Sequence, residues 1–105
     1  MIKEVTENFV CTLSRGLRVM NAALITKTAS LSDSKVTVEC RGNMCSASNM
    51  LSMLSLGVEC GDVITVSALG EDAEETIRNV SVLIQEDVEN IFRSRNSGYF
   101  QATLA

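Results

Sequence analysis

The sequence predicts an α+β fold, an open-faced sandwich in which a four-stranded antiparallel sheet carries three helices on one face, in the order β-α-β-β-α-β-α. Three observations lead there. The segments "NFVCTL", "KVTVEC" and "DVITVSAL" alternate apolar and polar residues with the two-residue period of half-buried strands. Longer segments between them place apolar residues at helical spacing. A Gly-Asn dipeptide between two strand signals marks a hairpin, which makes neighbouring strands antiparallel and leaves the helices to cover one face.

The first strand is expected over residues 8–13, with Phe9, Cys11 and Leu13 on one side. From Val19 to about Ser30, Ala22, Ile25 and Ala29 form one helical stripe with Lys27 and Thr28 outside it, and "SLSDS" closes the helix. Val36, Val38 and Cys40 alternate in the next strand, which turns at Gly42-Asn43 and returns from Met44 to Ser46. Asn49 is a suitable N-cap for the short helix "MLSMLSL", which Gly57 stops. In the last strand Ile64, Val66 and Ala68 share a face, Thr65 and Ser67 share the other, and Gly70 marks the end. The segment "EDAEETIRNVSVLIQEDVENIF" opens with acidic residues, as the helix dipole favours, and carries Ile77, Val80, Ile84 and Val88 as its buried stripe.

A chain of 105 residues has room for one core, and 46% apolar with 21% charged residues is a globular balance. The net charge of −4, with nine scattered Lys and Arg, argues against a nucleic-acid surface. No apolar run approaches membrane-spanning length, and "MIKEVTEN" is too polar for a signal peptide core, so a cytoplasmic protein without a membrane partner is expected. Cys11, Cys40, Cys45 and Cys60 include no C-x-x-C pair and the chain has no histidine, so no metal or other cofactor is expected and the cysteines read as small apolar residues. Cys40 and Cys45, flanking the hairpin turn, are expected to face each other.

Arg18 stands at the mouth of the first helix in "GLRVMNAAL". A helix N-terminus favours anions and disfavours cations. Arg18 therefore points into water, helps hold an anion, or stands where another residue would act. No acid–base pair, metal cluster or phosphate loop accompanies it, so an enzyme is not expected.

The stretches "RGLRVMNAAL" and "VECRGNMCSASNMLSMLSLGVECGDVITVSALGED", with the element order, resemble the HPr family of phosphocarrier proteins across residues 8–88. The resemblance implies a protein of the phosphoenolpyruvate-dependent phosphotransferase system, which takes a phosphoryl group from enzyme I and passes it on. Residues 1–92 would form the HPr-like domain. The family carries the group on a histidine in a G-[IL]-H-x-R-P-A motif, and the matching stretch here is Gly16-Leu17-Arg18-Val19-Met20-Asn21-Ala22. Arg18 holds the histidine position, and Met20 and Asn21 also depart. Arginine stays protonated and has no lone pair to accept phosphate, so carriage on histidine is expected to be lost.

The resemblance also implies a regulatory serine at the start of the second helix. Asn49 holds that position, which keeps the helix cap and loses the hydroxyl, leaving Ser46 and Ser48 as candidate phosphoacceptors for HPr kinase. Met50, Leu51 and Leu54 match the family's docking residues, and Met20 adds to that patch, while Met53 and Leu56 are candidate core. The expected function is then a regulatory or protein-binding module with enzyme I, HPr kinase or other phosphotransferase components as partners. The alternative is a signalling protein switched at Ser46 or Ser48. A histidine-lacking regulatory branch of the family is a precedent, although its members keep the serine. Ile91 and Phe92 extend the last helix in this reading, and residues 93–105, "RSRNSGYFQATLA", form a flexible tail or a docking peptide through Tyr99 and Phe100.

Overall fold

The computed structural model describes residues 1–88, whose elements are β1 (Lys3–Val10), α1 (Val19–Leu31), β2 (Lys35–Cys40), β3 (Asn43–Ser46), α2 (Met50–Ser55), β4 (Val63–Gly70) and α3 (Ala73–Gln85). The strands form one antiparallel sheet in the order β1-β4-β2-β3. β4 is the central strand with the cleanest alternation: Ile64, Val66 and Ala68 are buried while Val63 and Leu69 are exposed. Its inner face meets Val36, Val38 and Cys40 of β2, Ala22, Ile25 and Ala29 of α1, Met53 of α2, and Ile77, Val80 and Ile84 of α3 in one core. The opposite face is open and polar, with Thr6 and Ser67 hydroxyls 3.0 Å apart and Thr65 Oγ1 donating to Asn8 Oδ1 at 2.7 Å. Among the described residues no helix is long and apolar enough to cross a membrane.

Four expectations are corrected at the ends of elements. The first strand lies earlier than residues 8–13, because its N-terminal half, with Glu4, Thr6 and Glu7, hides the alternation. Its ladder stops at Val10, where Cys11 N–H donates to Asp62 O and Gly61 N–H donates to Cys11 O, two residues facing one in a bulge. Cys11 and Leu13 remain buried beyond the strand. The hairpin turns at Arg41-Gly42 rather than Gly42-Asn43, with φ of 51° and 82° as a two-residue primed turn requires. That shift sets Cys40 opposite Asn43 and Cys45 opposite Val38, so the two cysteines do not face each other directly.

α3 ends at Gln85, which leaves the half-buried Val88 beyond the helix. The expectations for Ile91, Phe92 and the tail at residues 93–105, including Tyr99 and Phe100, fall outside the described residues, as does the domain boundary after residue 92.

Candidate functional site

The site is assembled where the loop before α1 meets the loop after α2. Gly16 has φ of 77°, and a Cβ there would run into the carbonyl of Val58, so only glycine passes. The close approach lets Leu17 N–H donate to Val58 O at 3.0 Å and buries the Leu17 side chain. The chain then enters α1 with Arg18 as its N-cap in extended conformation, its carbonyl accepting the Ala22 N–H at 2.9 Å. The Arg18 side chain is exposed, makes no cap hydrogen bond and forms no ion pair among the described residues. The side chain thus faces solvent at the mouth of α1.

Asn21, in the first turn, is the residue whose role sequence reasoning missed. It is 5% exposed, and its Nδ2 donates to the carbonyls of Leu83 at 2.7 Å and Glu86 at 2.8 Å. Thr12 Oγ1 donates to Gln85 O at 2.7 Å, so the carbonyls of Leu83, Gln85 and Glu86 each accept a hydrogen bond from the loop and first turn around Arg18. The signal was available: a polar side chain next to Ala22 and Ile25 in a buried stripe must find partners.

α2 follows a tight turn in which Ala47 is fully buried and its N–H donates to Val36 O at 2.9 Å. Asn49 caps the helix, its Oδ1 accepting the Ser52 N–H at 3.1 Å. Ser46 and Ser48 are both exposed, and Ser46 Oγ accepts the Ser48 N–H at 3.2 Å. Met53 and Leu56 are buried, whereas Met50 and Leu54 are half-buried against the core. Leu51 is 71% exposed and Met20 39%. α1 and α2 pack together, and Val19 and Met44, which the sequence did not single out, add exposed apolar surface. Met44, Cys45, Leu51 and Leu56 line a shallow groove between β3 and α2.

Arg41 holds the far end of α2. Its Nη2 donates to the carbonyls of Leu56 and Gly57, each at 2.8 Å, and its Nη1 pairs with Asp62. Asp62 also accepts the Glu59 N–H at 2.8 Å, and that bond, followed by the Arg41 guanidinium, holds its carboxyl below the usual carboxylate range. Burial pushes the thiols of Cys11, Cys40 and Cys45 up, which keeps them protonated and poorly nucleophilic at neutral pH. No group of side chains among the described residues is placed to hold a metal ion. The arrangement offers an exposed apolar surface flanked by the Arg18 side chain.

A family model described as "PTS HPr component phosphorylation site" matches residues 5–86. The HPr-like protein Crh of Bacillus subtilis (strain 168) is 33% identical over 76 residues, 72% of this chain and 89% of that protein. The phosphocarrier protein HPr of Vibrio cholerae is 32% identical over 75 residues, 71% of this chain and 88% of that one. The crystal structure of a phosphocarrier protein HPr from Bacillus anthracis superposes with a TM-score of 0.74 at 27% identity, covering 78% of this chain and 98% of its own.

Proposed function

The chain belongs to the HPr family of the phosphotransferase system, whose members are phosphocarriers and not enzymes, and from that membership we propose that it is a regulatory, protein-binding module which carries no phosphoryl group on histidine. One observation carries the proposal: the 105 residues contain no histidine; the resemblance of residues 16–22 to the family motif supports reading Arg18 at the histidine position. A phosphoryl carrier needs a nucleophile with a free lone pair and a labile product bond. Neutral imidazole supplies both and guanidinium supplies neither. Met20 in place of a cation removes a phosphate ligand and enlarges the apolar surface.

What persists is a surface suited to docking. Met20 and Leu51 are its exposed apolar members, Met50 and Leu54 its half-buried rim, and Arg18 its cation. Phosphotransferase components in the cytoplasm, enzyme I among them, are the partners proposed for it. Similarity to an HPr-like protein as well as to phosphocarriers supports the reading.

A second reading is supported by the exposure of Ser46 and Ser48 immediately before α2. Phosphate on either would place negative charge beside the docking surface and alter what binds there.

Intact mass after incubation with enzyme I and phosphoenolpyruvate, and separately with HPr kinase and ATP, tests both readings. The module predicts no phosphoryl gain from enzyme I, together with binding of enzyme I that Leu51→Ser weakens. Phosphoryl uptake from enzyme I would sink it. A gain from the kinase that maps within residues 41–56 to Ser46 or Ser48 would establish the switched form.

A further inference from the structure

We propose that the outer edge of β3 and the groove beside it are the docking site of the chain's own C-terminal segment, residues 99–104, which adds there as a short strand. The segment lies beyond the described residues, and three properties of the site select it: an open edge, an uncharged lining and its place near the end of α3.

β3 closes the sheet, with β2 as its only strand neighbour among the described residues. The two-residue turn makes Cys40 and Asn43 the hydrogen-bonded pair at the hairpin end, so by the alternation of an antiparallel ladder the N–H and C=O of Met44 point away from β2. They offer a strand-addition site. Ser46 O is already taken by the Asn49 N–H at 3.1 Å, which limits the site to a few residues. Cys45 shares the inner face with buried Val38, while Met44 shares the outer face with Glu39. In the groove between this edge and α2, Leu51 is 71% exposed and Met44 67%, and Cys45, Leu56, Ser52 and Ser55 continue the lining. No charged side chain lines it.

Such a groove takes an uncharged strand with one apolar row, because a charged side chain would lose hydration there without gaining a partner. Residues 96–105 hold no charged side chain, and within them Phe100, Ala102 and Leu104 alternate with Tyr99, Gln101 and Thr103. With Gln101 opposite Met44, the apolar row faces α2 whichever way the strand runs, since opposed residues share a face. The distance also suits the segment. α3 ends where Thr12 and Asn21 bond to Gln85 and Glu86, at the mouth of α1, and α1 packs on α2. The link from Val88 to Phe100 spans up to about 40 Å, against a diameter of about 30 Å for a domain of this size. Arg93 and Arg95 in that link approach a chain of net charge −4, so charge favours the return.

Leu51 also belongs to the docking surface proposed above. The segment in place withholds it from a partner, a consequence that rests on that reading, whereas the occupancy does not.

Alkylation of the full chain with iodoacetamide, followed cysteine by cysteine by peptide mass, tests the occupancy. Cys45 reports on the groove, exposed Cys60 is the reference, and buried Cys11 and Cys40 stay unreactive while the chain is folded. Phe100→Ser with Leu104→Ser should raise the Cys45 rate relative to Cys60 on the order of tenfold, and Ile91→Ser, which removes apolar surface from the link, should not. The Met44 amide should exchange slowly in the parent chain, faster in the double variant, and at a rate independent of protein concentration. Equal Cys45 rates in parent and double variant, the same gain from Ile91→Ser, or a Met44 amide unprotected in the parent would overturn the proposal. So would protection that grows with concentration, which would put another copy on the edge. Binding of enzyme I is measured separately: if it is unchanged in a double variant whose Cys45 rate has risen, the docking reading fails and the occupancy stands.

Discussion

The side chain of Asn21 in the first turn of α1 is hydrogen-bonded to the backbone of Glu86, its Nδ2 donating to that carbonyl at 2.8 Å and to Leu83 O at 2.7 Å. Under the alignment proposed above with the family motif, proline would stand here, and proline has no side-chain donor. Asn21 thus joins the mouth of α1 to the point where the chain leaves α3.

Asn21→Ala should lower unfolding free energy by about 2 kcal/mol, since two part-buried hydrogen bonds to the end of α3 are lost. Asn21→Asp should cost more, because a carboxylate would face the same two carbonyls. Urea unfolding measures both, and an unchanged midpoint for alanine would mean that water replaces the amide.

Arg41 sits at φ 51° and grips Asp62 and the end of α2. Arg41→Gly relieves the backbone strain but loses the contacts, whereas Arg41→Ala loses them and keeps the strain. The expected order of stability is Arg41, then glycine, then alanine. The depressed carboxyl of Asp62 contributes stability above its unfolded-state value, near pH ~3.9, and that contribution is lost as pH falls through the folded-state value. The gap between the parent chain and Arg41→Ala should therefore narrow on acidification, which denaturant midpoints at neutral and at acidic pH will show.

Gly16→Ala combines a left-handed backbone with a Cβ directed into Val58 O. A loss of at least about 2 kcal/mol is expected, together with faster hydrogen exchange at the Leu17 amide as its bond to Val58 opens.

Arg18→His alone should not create a carrier, because Met20 and Asn21 would still lack the cation and the backbone setting of the motif. Enzyme I and phosphoenolpyruvate should leave the variant's mass unchanged. Efficient uptake would show that imidazole at the mouth of α1 suffices.

Local pattern carried most of the architecture. The alternation of Ile64, Val66 and Ala68 located the central strand, Asn49 and Gly57 bounded α2, and the stripe from Ile77 to Ile84 located α3. Each of these signals lies within a few residues of the element that it specifies, because burial repeats with the period of the backbone. The strand ends were less legible. Glu4 and Glu7 concealed the first half of β1, and Phe9 with Cys11 suggested a strand that the bulge opposite Cys11 cuts short.

By itself the sequence determined the order of elements, the identity of the core and the absence of any histidine to carry phosphate. Tertiary structure alone decided that Asn21 caps a helix 62 residues away, and that Arg41, not Asn43, sits in the hairpin turn, where its guanidinium reaches Asp62, 21 residues on. It also decided that Leu51 faces water while Leu54 leans on the core. Periodicity reports only that a face is buried, whereas a hydrogen bond or a free edge depends on which distant segment arrives there, and folding alone brings those segments together.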